Sequence, residues 1–455
     1  MRLTWLLISF QTLLISYLVF WPVPIEELQD QLSTLEYLRK AAGSSTLIPI
    51  NPSSSPSSAS QCSLAFGFAS LIDIRMRFVD FIKHFPAPAE SKYHEELKTK
   101  QQMLETLAYS FSTGRGAEFR VPESLFSEIL SIIPSVQSWR TLGGNGATMC
   151  KRASHEGCTA YLVSPITEEI KNYFLQDKTI FLNKVLDSPD LHVILEYREG
   201  ESWGKYVASR SNRFYLNHDM HNVDPEVFES VKLIEGVQVF AIGGFQLVEG
   251  SSTEDRFLAK ALEKTLEIKE EKAVRIHFEM GDFHTYSYFS KLQNLVKESD
   301  SIGMNEQELG ILLCHLKKIK FGGYPSKASV KRYLSDLSDL IGELKRSEYK
   351  ANRIHLHTIY SQVICSDSLW THPLKAAARS AVLAGQFACN NTDLQNNSFE
   401  FYKGKDWKPE DVTKCWQEQS MTCCLALNPT CTQVVQVSGL GDNISATGLV
   451  YHPLA

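Results

Sequence analysis

The sequence predicts an α/β protein built on a mostly parallel sheet covered on both faces. Two observations carry this. From Ser63 onward, short apolar, β-branched runs alternate with amphipathic helical patterns, and many of those runs are apolar at every position rather than at every second one. Alternating strand and helix gives parallel strands joined by crossover helices. An unbroken apolar run marks a strand buried on both faces. The 455 residues, 43% hydrophobic and 22% charged with a formal net charge of −6, suit a globular protein and exclude fibrous repeats and wholesale disorder. A mildly acidic chain also argues against nucleic acid as the main partner.

Taken in order, residues 1–22 come first. Leu3 to Pro22 is almost wholly apolar, with Arg2 as its only flanking positive charge, and reads as a signal peptide or an uncleaved signal anchor. The stretch matches the ~20 residues needed to cross a bilayer and no small-x-small cleavage site follows it, so an anchor is slightly favoured over a cleaved signal, with a buried core helix as the remaining alternative. Residues 23–60 hold a helical pattern from Glu26 to Ala42, with Leu28, Leu32, Leu35 and Leu38 on one side, and then the Ser/Pro-rich run Asn51 to Ser60, which reads as a tether. The runs SLAFGFASLIDI, HVILEY, VQVFAIGGF, AVRIHFEM, RIHLHTIYSQVI and QVVQVSGLG follow as strands. FLAKALEKTLEIKEEK and VKRYLSDLSDLIGELKRSEYK read as amphipathic helices between them.

A secretory route makes Cys415, Cys423, Cys424 and Cys431 disulfide partners rather than zinc ligands, since no CxxC pair is present; the pairing stays open. Sequons stand at Asn390, Asn396 and Asn443, the first two in the polar stretch CNNTDLQNNS, so the chain is expected to be a glycoprotein.

In parallel sheets ligands sit beyond the carboxyl ends of the strands, and the unusual motifs fall there. In VSGLGDNISATG a strand runs into Gly439, Leu440, Gly441 and Asp442 and then a helix start. Two glycines turn backbone amides toward an anion, and an Asp there can take a proton from an attacking hydroxyl. The bland alternative is a Gly-rich turn with Asp442 as N-cap. Asn305-Glu306-Gln307-Glu308 reads as a capping box, or as a carboxylate, Glu308, aimed at hydrated magnesium. His277 and Glu279 share one face of their strand, as an edge ion pair or as a metal anchor. Gly143-Gly144-Asn145 opens a helix and allows close approach of a polar ligand. Gly114-Arg115-Gly116-Ala117-Glu118 reads equally as a turn with a solvated charge.

Together and in this order, LAFGFASLID, GRGAE, LGGNGA, HVILEYREGESWG, NRFYLNHD, HFEM, GMNEQEL, RIHLHT and GLGDNISATGLVYH resemble the ADP-dependent glucokinase family, in its animal branch, of the ribokinase-like superfamily. The resemblance covers roughly Ser63 to Tyr451. It implies a ribokinase-like αβα sandwich over residues 61–455, with a smaller β-rich lid inserted at roughly 70–125 and 188–222. It implies transfer of the β-phosphoryl of ADP to the 6-hydroxyl of glucose, with one Mg2+. Asp442 would be the base, with Gly439 and Gly441 in the anion hole and Glu279, Glu308 and Asp442 at the metal. Asp73, Glu118, Gly144 and Asn145 would hold the sugar, and Arg213 and His355 the nucleotide. A monomer in the endoplasmic reticulum lumen or membrane is expected, secreted if the N-terminal segment is cleaved. One departure stands out: Ala69 replaces an Asn usual in the family four residues before the sugar Asp, which is expected to weaken or alter sugar binding. Another sugar kinase of phosphofructokinase type, or a lumenal binding protein without catalysis, are the alternatives, and Glu118 argues for glucose by repelling a phosphorylated sugar. An active site also requires Asn443 to be unmodified.

Overall fold

The computed structural model describes residues 25–43, 62–183, 185–229, 231, 236–272, 274–281, 283, 286–321, 323–324, 329–388, 399–402, 408–431 and 439–452. The apolar segment 3–22, the Ser/Pro-rich tether, the sequons at Asn390 and Asn396 and the run from Gln433 to Val437 lie outside them.

The apolar runs assemble into a ten-stranded sheet. Its order is Thr413–Glu418, Met421–Leu427, Ser361–Ser366, Arg353–His357, Ser301–Met304, Arg275–Glu279, Val239–Ile242, Ser63–Gly67, Thr159–Val163 and Thr179–Phe181. Pairing is parallel from Arg353–His357 to the Thr179–Phe181 edge, and antiparallel at the other edge. Strand alternation sorts the side chains. Ala65, Phe240, Ile276, Ile302 and Ile354 face a core shared with the helices Glu254–Lys272, Tyr286–Glu298, Glu306–Leu316 and Val330–Arg346. The opposite face carries Leu64, Phe66 and Ala241 toward the helices Asn145–His155 and Leu440–Val450. On that second face His277, Glu279, Ser301, Arg353, His355 and His357 make a buried polar row.

A second, five-stranded sheet has the order Ala117–Arg120, Asn212–Asn217, Leu191–Tyr197, Leu71–Arg77 and Ser138–Gly143. One face packs Ile74, Met76, Val193, Leu195 and Phe214 into a separate apolar core with the helices Lys100–Thr113 and Glu123–Ile132. The other face turns Asp73, Glu118, His192, Arg213 and Tyr215 toward the main sheet's cavity.

Four expectations are revised. The run SLAFGFASLIDI is two strands in two sheets, Ser63–Gly67 and Leu71–Arg77. The chain crosses between them at Ser70, whose N–H donates to Asn222 Oδ1 at 3.0 Å. RIHLHTIYSQVI is an antiparallel hairpin, Arg353–His357 and Ser361–Ser366, turned by Thr358, whose Oγ1 accepts from the Ser361 N–H at 2.9 Å. Strand Ser138–Gly143 of the small sheet falls outside the ranges expected for the lid. The helix Ile25–Ala41 docks its Thr34, Leu35 and Leu38 on the main core, so it belongs to the folded body and not to the tether.

Cys415 and Cys424 are bonded to each other across the strand pair that faces them, Cys423 to Cys365, and Cys62 to Cys158. Among the described residues Cys150 and Cys314 are free thiols.

Candidate active site

The carboxyl ends of the parallel strands and the polar face of the small sheet enclose a cavity of about 360 Å³. Asp442 enters it from the first turn of the helix Leu440–Val450. The N-cap of that helix is Gly439, with φ 71°, and not Asp442, so the bland reading of this motif fails. The Asp442 carboxylate instead accepts from Asn145 Nδ2 at 2.7 Å. Burial, reinforced by the charge of Glu279, pushes its carboxyl up to about 7 against the bond from Asn145. Asn145 is brought here by Gly144, whose φ is 86° and whose added Cβ would lie 2.6 Å from the Ala69 carbonyl oxygen.

Glu308 satisfies both readings of its motif. Asn305 Oδ1 accepts from the N–H groups of Gln307 and Glu308, and Glu308 Oε2 accepts from the Asn305 N–H at 2.8 Å, a complete capping box. The same carboxylate is buried and lines the cavity. Glu279 is no edge ion pair, because its strand lies inside the sheet. Its two oxygens are bonded to His277 Nε2 and His357 Nε2, each at 3.0 Å. Burial opposes ionisation, yet these two bonds hold the carboxyl well below the usual range. Room for it comes from Gly303 of GMNEQEL, where an added Cβ would stand 2.0 Å from Glu279 Oε2.

On the small-sheet side, Asp73 sits against Gly143, where a Cβ would be 2.5 Å from Asp73 Oδ1. Burial pushes the Asp73 carboxyl up to about 6 although His192 and Arg75 pull it down. His192 donates Nε2–H to buried Asp219 at 2.9 Å and holds Nδ1 3.6 Å from Glu118. Burial alone would lower its pKa, but Asp219, Glu118 and Asp73 raise it to about 9. Glu118 is therefore a cavity residue beside an imidazolium, not a solvated charge. Arg213 donates Nε–H to Tyr215 Oη at 2.7 Å on this same face, among the residues expected for the sugar.

Two expected residues are placed elsewhere. His355 is fully buried under the helix Leu440–Val450, bonded to Gln362 and away from the cavity. His357, two residues on and thus on the same face but nearer the strand end, lines the cavity in its place. Ala69 packs with Leu71 and Leu247 in a small apolar cluster and does not line the cavity, so the sugar contact expected at this position has no counterpart here. Asn443 lies on the cavity wall with Nδ2 donating to the Gly439 carbonyl at 2.7 Å, and is half-buried. His192, Tyr215, Gln246 and His357 are cavity residues that the motifs did not single out. Gln246 could have been found by the strand-end rule, since it follows VQVFAIGGF.

The strand ends of a parallel sheet thus meet a helix N-terminus bearing the half-buried Asp442 carboxylate, and a second sheet roofs them with polar residues turned inward. Over residues 62–451 the chain matches the conserved region of ADP-specific phosphofructokinase/glucokinase. The chain belongs to that family. It is 24% identical to the ADP-dependent glucokinase of Bos taurus, over 86% of this chain and 85% of that one. To the probable ADP-dependent glucokinase of Caenorhabditis elegans it is 27% identical, over 80% and 79%. Among solved structures, an ADP-dependent kinase in complex with fructose 6-phosphate and ADPβS matches with TM-score 0.62 at 16% identity, covering 94% of this chain and 98% of that one. A phosphofructokinase from Pyrococcus horikoshii with AMP matches with TM-score 0.58 at 16% identity, covering 86% and 97%.

Proposed function

We propose that this protein is an ADP-dependent glucokinase, moving the β-phosphoryl of ADP to the 6-hydroxyl of D-glucose and releasing AMP and glucose 6-phosphate. The carrying observation is Asp442, a half-buried carboxylate at a helix N-terminus whose carboxyl is pushed up to about 7, facing a cavity whose other wall holds Asp73, Glu118 and Asn145. Asp442 takes the 6-hydroxyl proton as the oxygen–phosphorus bond forms and the bond from the β-phosphorus to the bridging oxygen breaks. Backbone amides of Gly439 to Asp442 and the helix dipole stabilise the charge on the transferring group. Asp73, Glu118, Gly144 and Asn145 orient the sugar hydroxyls, and Arg213 reaches a phosphate from the lid.

Among the described residues no three His, Cys, Asp or Glu side chains gather as a metal cage. Mg2+ bound with a diphosphate keeps most of its waters and uses only one or two carboxylates, so the donor set fits the ion in that mode. Glu308 would hold it at the cavity wall, and Glu279, with both oxygens engaged by imidazoles, would act through water. When bound, Mg2+ would neutralise charge on the diphosphate.

Glucose is favoured over a phosphorylated sugar because Glu118 and Asp73 stand together on the sugar side and would repel a phosphate dianion. The three disulfides among the described residues suit an oxidising lumen, and with the apolar segment 3–22 we assign the protein to the endoplasmic reticulum, anchored or lumenal. The test is a coupled assay of AMP and glucose 6-phosphate with Asp442→Asn against wild type. Turnover is expected to fall by several orders of magnitude, since the substitution removes the base. Equal rates, or none with ADP, magnesium and glucose in the wild type, would sink the assignment.

A further inference from the structure

Gln246 has no part in the mechanism above. It stands just past the strand Val239–Ile242, in the short turn Phe245–Val248, and lines the cavity beside Asn145. Its Nε2 donates to Asn145 Oδ1 at 3.1 Å, and Asn145 Nδ2 donates to Asp442 Oδ1 at 2.7 Å. The direction of this chain is fixed from its end. An ionised carboxylate only accepts, so Asn145 presents its amide nitrogen to Asp442 and its oxygen to Gln246, and Gln246 in turn presents its own nitrogen. The consequence shows at the far end. Gln246 Oε1 is turned away against Gly281, where an added Cβ would lie 2.4 Å from it, and is buried without a partner. A buried carbonyl oxygen left unpaired is uncommon in folded proteins and calls for a compensating role.

We propose that Gln246 is a positioning residue for the base. By donating to Asn145 Oδ1 it holds the Asn145 amide in the orientation that the Asp442 carboxylate sets, with the nitrogen toward the base. Asp442 is thereby held through one oxygen, which leaves the other for the acceptor hydroxyl. Ala69 cannot supply such a donor, so the anchoring of Asn145 Oδ1 rests on Gln246. This inference rests on Asp442 being the base of the glucokinase reaction.

The test compares Gln246→Glu and Gln246→Leu in the full chain. The first is isosteric but, ionised, can only accept, and so draws the Asn145 nitrogen away from Asp442. The second removes the whole amide, donor and unpaired oxygen together, and introduces no charge. For Gln246→Glu, kcat is expected to fall about tenfold or more with glucose KM within about threefold, and Gln246→Leu to fall less, as befits loss of a group acting on the transition state rather than on sugar binding. Thermal midpoints serve as a check on folding, and Gln246→Leu carries the test if Gln246→Glu does not fold. A readout without turnover is the side-chain amide signal of Asn145 in 15N-labelled protein, assigned by its loss in Asn145→Asp, which is expected to shift in both variants. Unchanged kcat in both, a loss confined to KM, or an unmoved Asn145 signal overturns the proposal. If the wild type fails to turn over ADP and glucose, the glucokinase reading falls while the amide signal still decides whether Gln246 orients Asn145.

Discussion

At the scale of single residues, partners rather than residue type set the chemistry. Glu279 is buried but has two imidazole partners and is held ionised, while Asp442, half-buried, has a single amide partner and a like charge nearby, and is raised to about 7. The sign follows for activity. The base must be ionised, so kcat is expected to rise with pH through an acidic limb near 7, and Asn145→Ala, which removes the bond favouring the ionised form, to move that limb upward. For stability the same shift runs the other way. A carboxyl raised from 3.8 to about 7 on folding loses stability as pH rises between those values, so Asp442→Asn is expected to gain stability relative to wild type at pH 8 but not at pH 4, measurable by urea midpoints. Gly303 supplies a second prediction. A methyl there would meet a carboxylate already pinned on both sides, so Gly303→Ala is expected to cost about 1–3 kcal/mol and to displace Glu279 with a loss of turnover. Unchanged melting and kcat for that variant would show that the pocket around Glu279 yields.

At the scale of elements, the helix Ile25–Ala41 argues against treating everything before Cys62 as a leash. Leu35 and Leu38 are 1% and 0% exposed against the main core, and Ala42 beyond the helix is buried as well. A chain shortened to begin at Gln61 leaves that core uncovered and is expected to lose about 3–6 kcal/mol, at roughly 1.5–3 kcal/mol for each of the two buried leucines, read as a lowered denaturant midpoint. An unchanged midpoint would mean the helix docks without contributing. Periodicity was a good guide at this scale. Apolar runs marked the strands, and the period of two put His277 with Glu279. What periodicity lacks is depth along the strand and the identity of the neighbouring strand. It therefore read Ser63 to Ile74 as one strand when Ser70 passes from one sheet to the other. The resemblance set His355 beside the nucleotide, whereas the residue nearer the strand end, His357, is the one that lines the cavity. The same gap hid His192. In HVILEY it looks like one polar member of a buried strand, and only the pairing of Leu191–Tyr197 with Leu71–Arg77 and Asn212–Asn217 sets it between Asp73 and Glu118.

At the scale of the whole molecule, the site exists only because two sheets with separate cores face each other. The motifs carried one side of it each: GLGD, GMNEQEL and HFEM from the main sheet, and LID, GRGAE and NRF from the small one. Nothing local in the sequence states that they converge, and the match came from their order along the chain. Holding that convergence is a mechanical problem, and Cys62–Cys158 addresses it. The bond closes a loop of sequence separation 96 that contains the small-sheet strands Leu71–Arg77, Ala117–Arg120 and Ser138–Gly143. It ties the start of Ser63–Gly67 to the start of its parallel neighbour Thr159–Val163, where Ser63 is in register with Thr159. Cys415–Cys424, by contrast, closes a separation of 9 within a hairpin. In the chain-entropy account a loop near the first size restricts the unfolded chain by about 4.7 kcal/mol and one near the second by about 2.6 kcal/mol. The double substitution Cys62→Ser with Cys158→Ser is therefore expected to lower stability by the larger amount, and Cys415→Ser with Cys424→Ser by the smaller, in paired denaturant titrations. If the order reverses, the hairpin bond matters more through native contacts at the sheet edge, and the long bond does not govern how the two sheets are kept together. If the order holds, the small sheet is stabilised from its root in the main sheet.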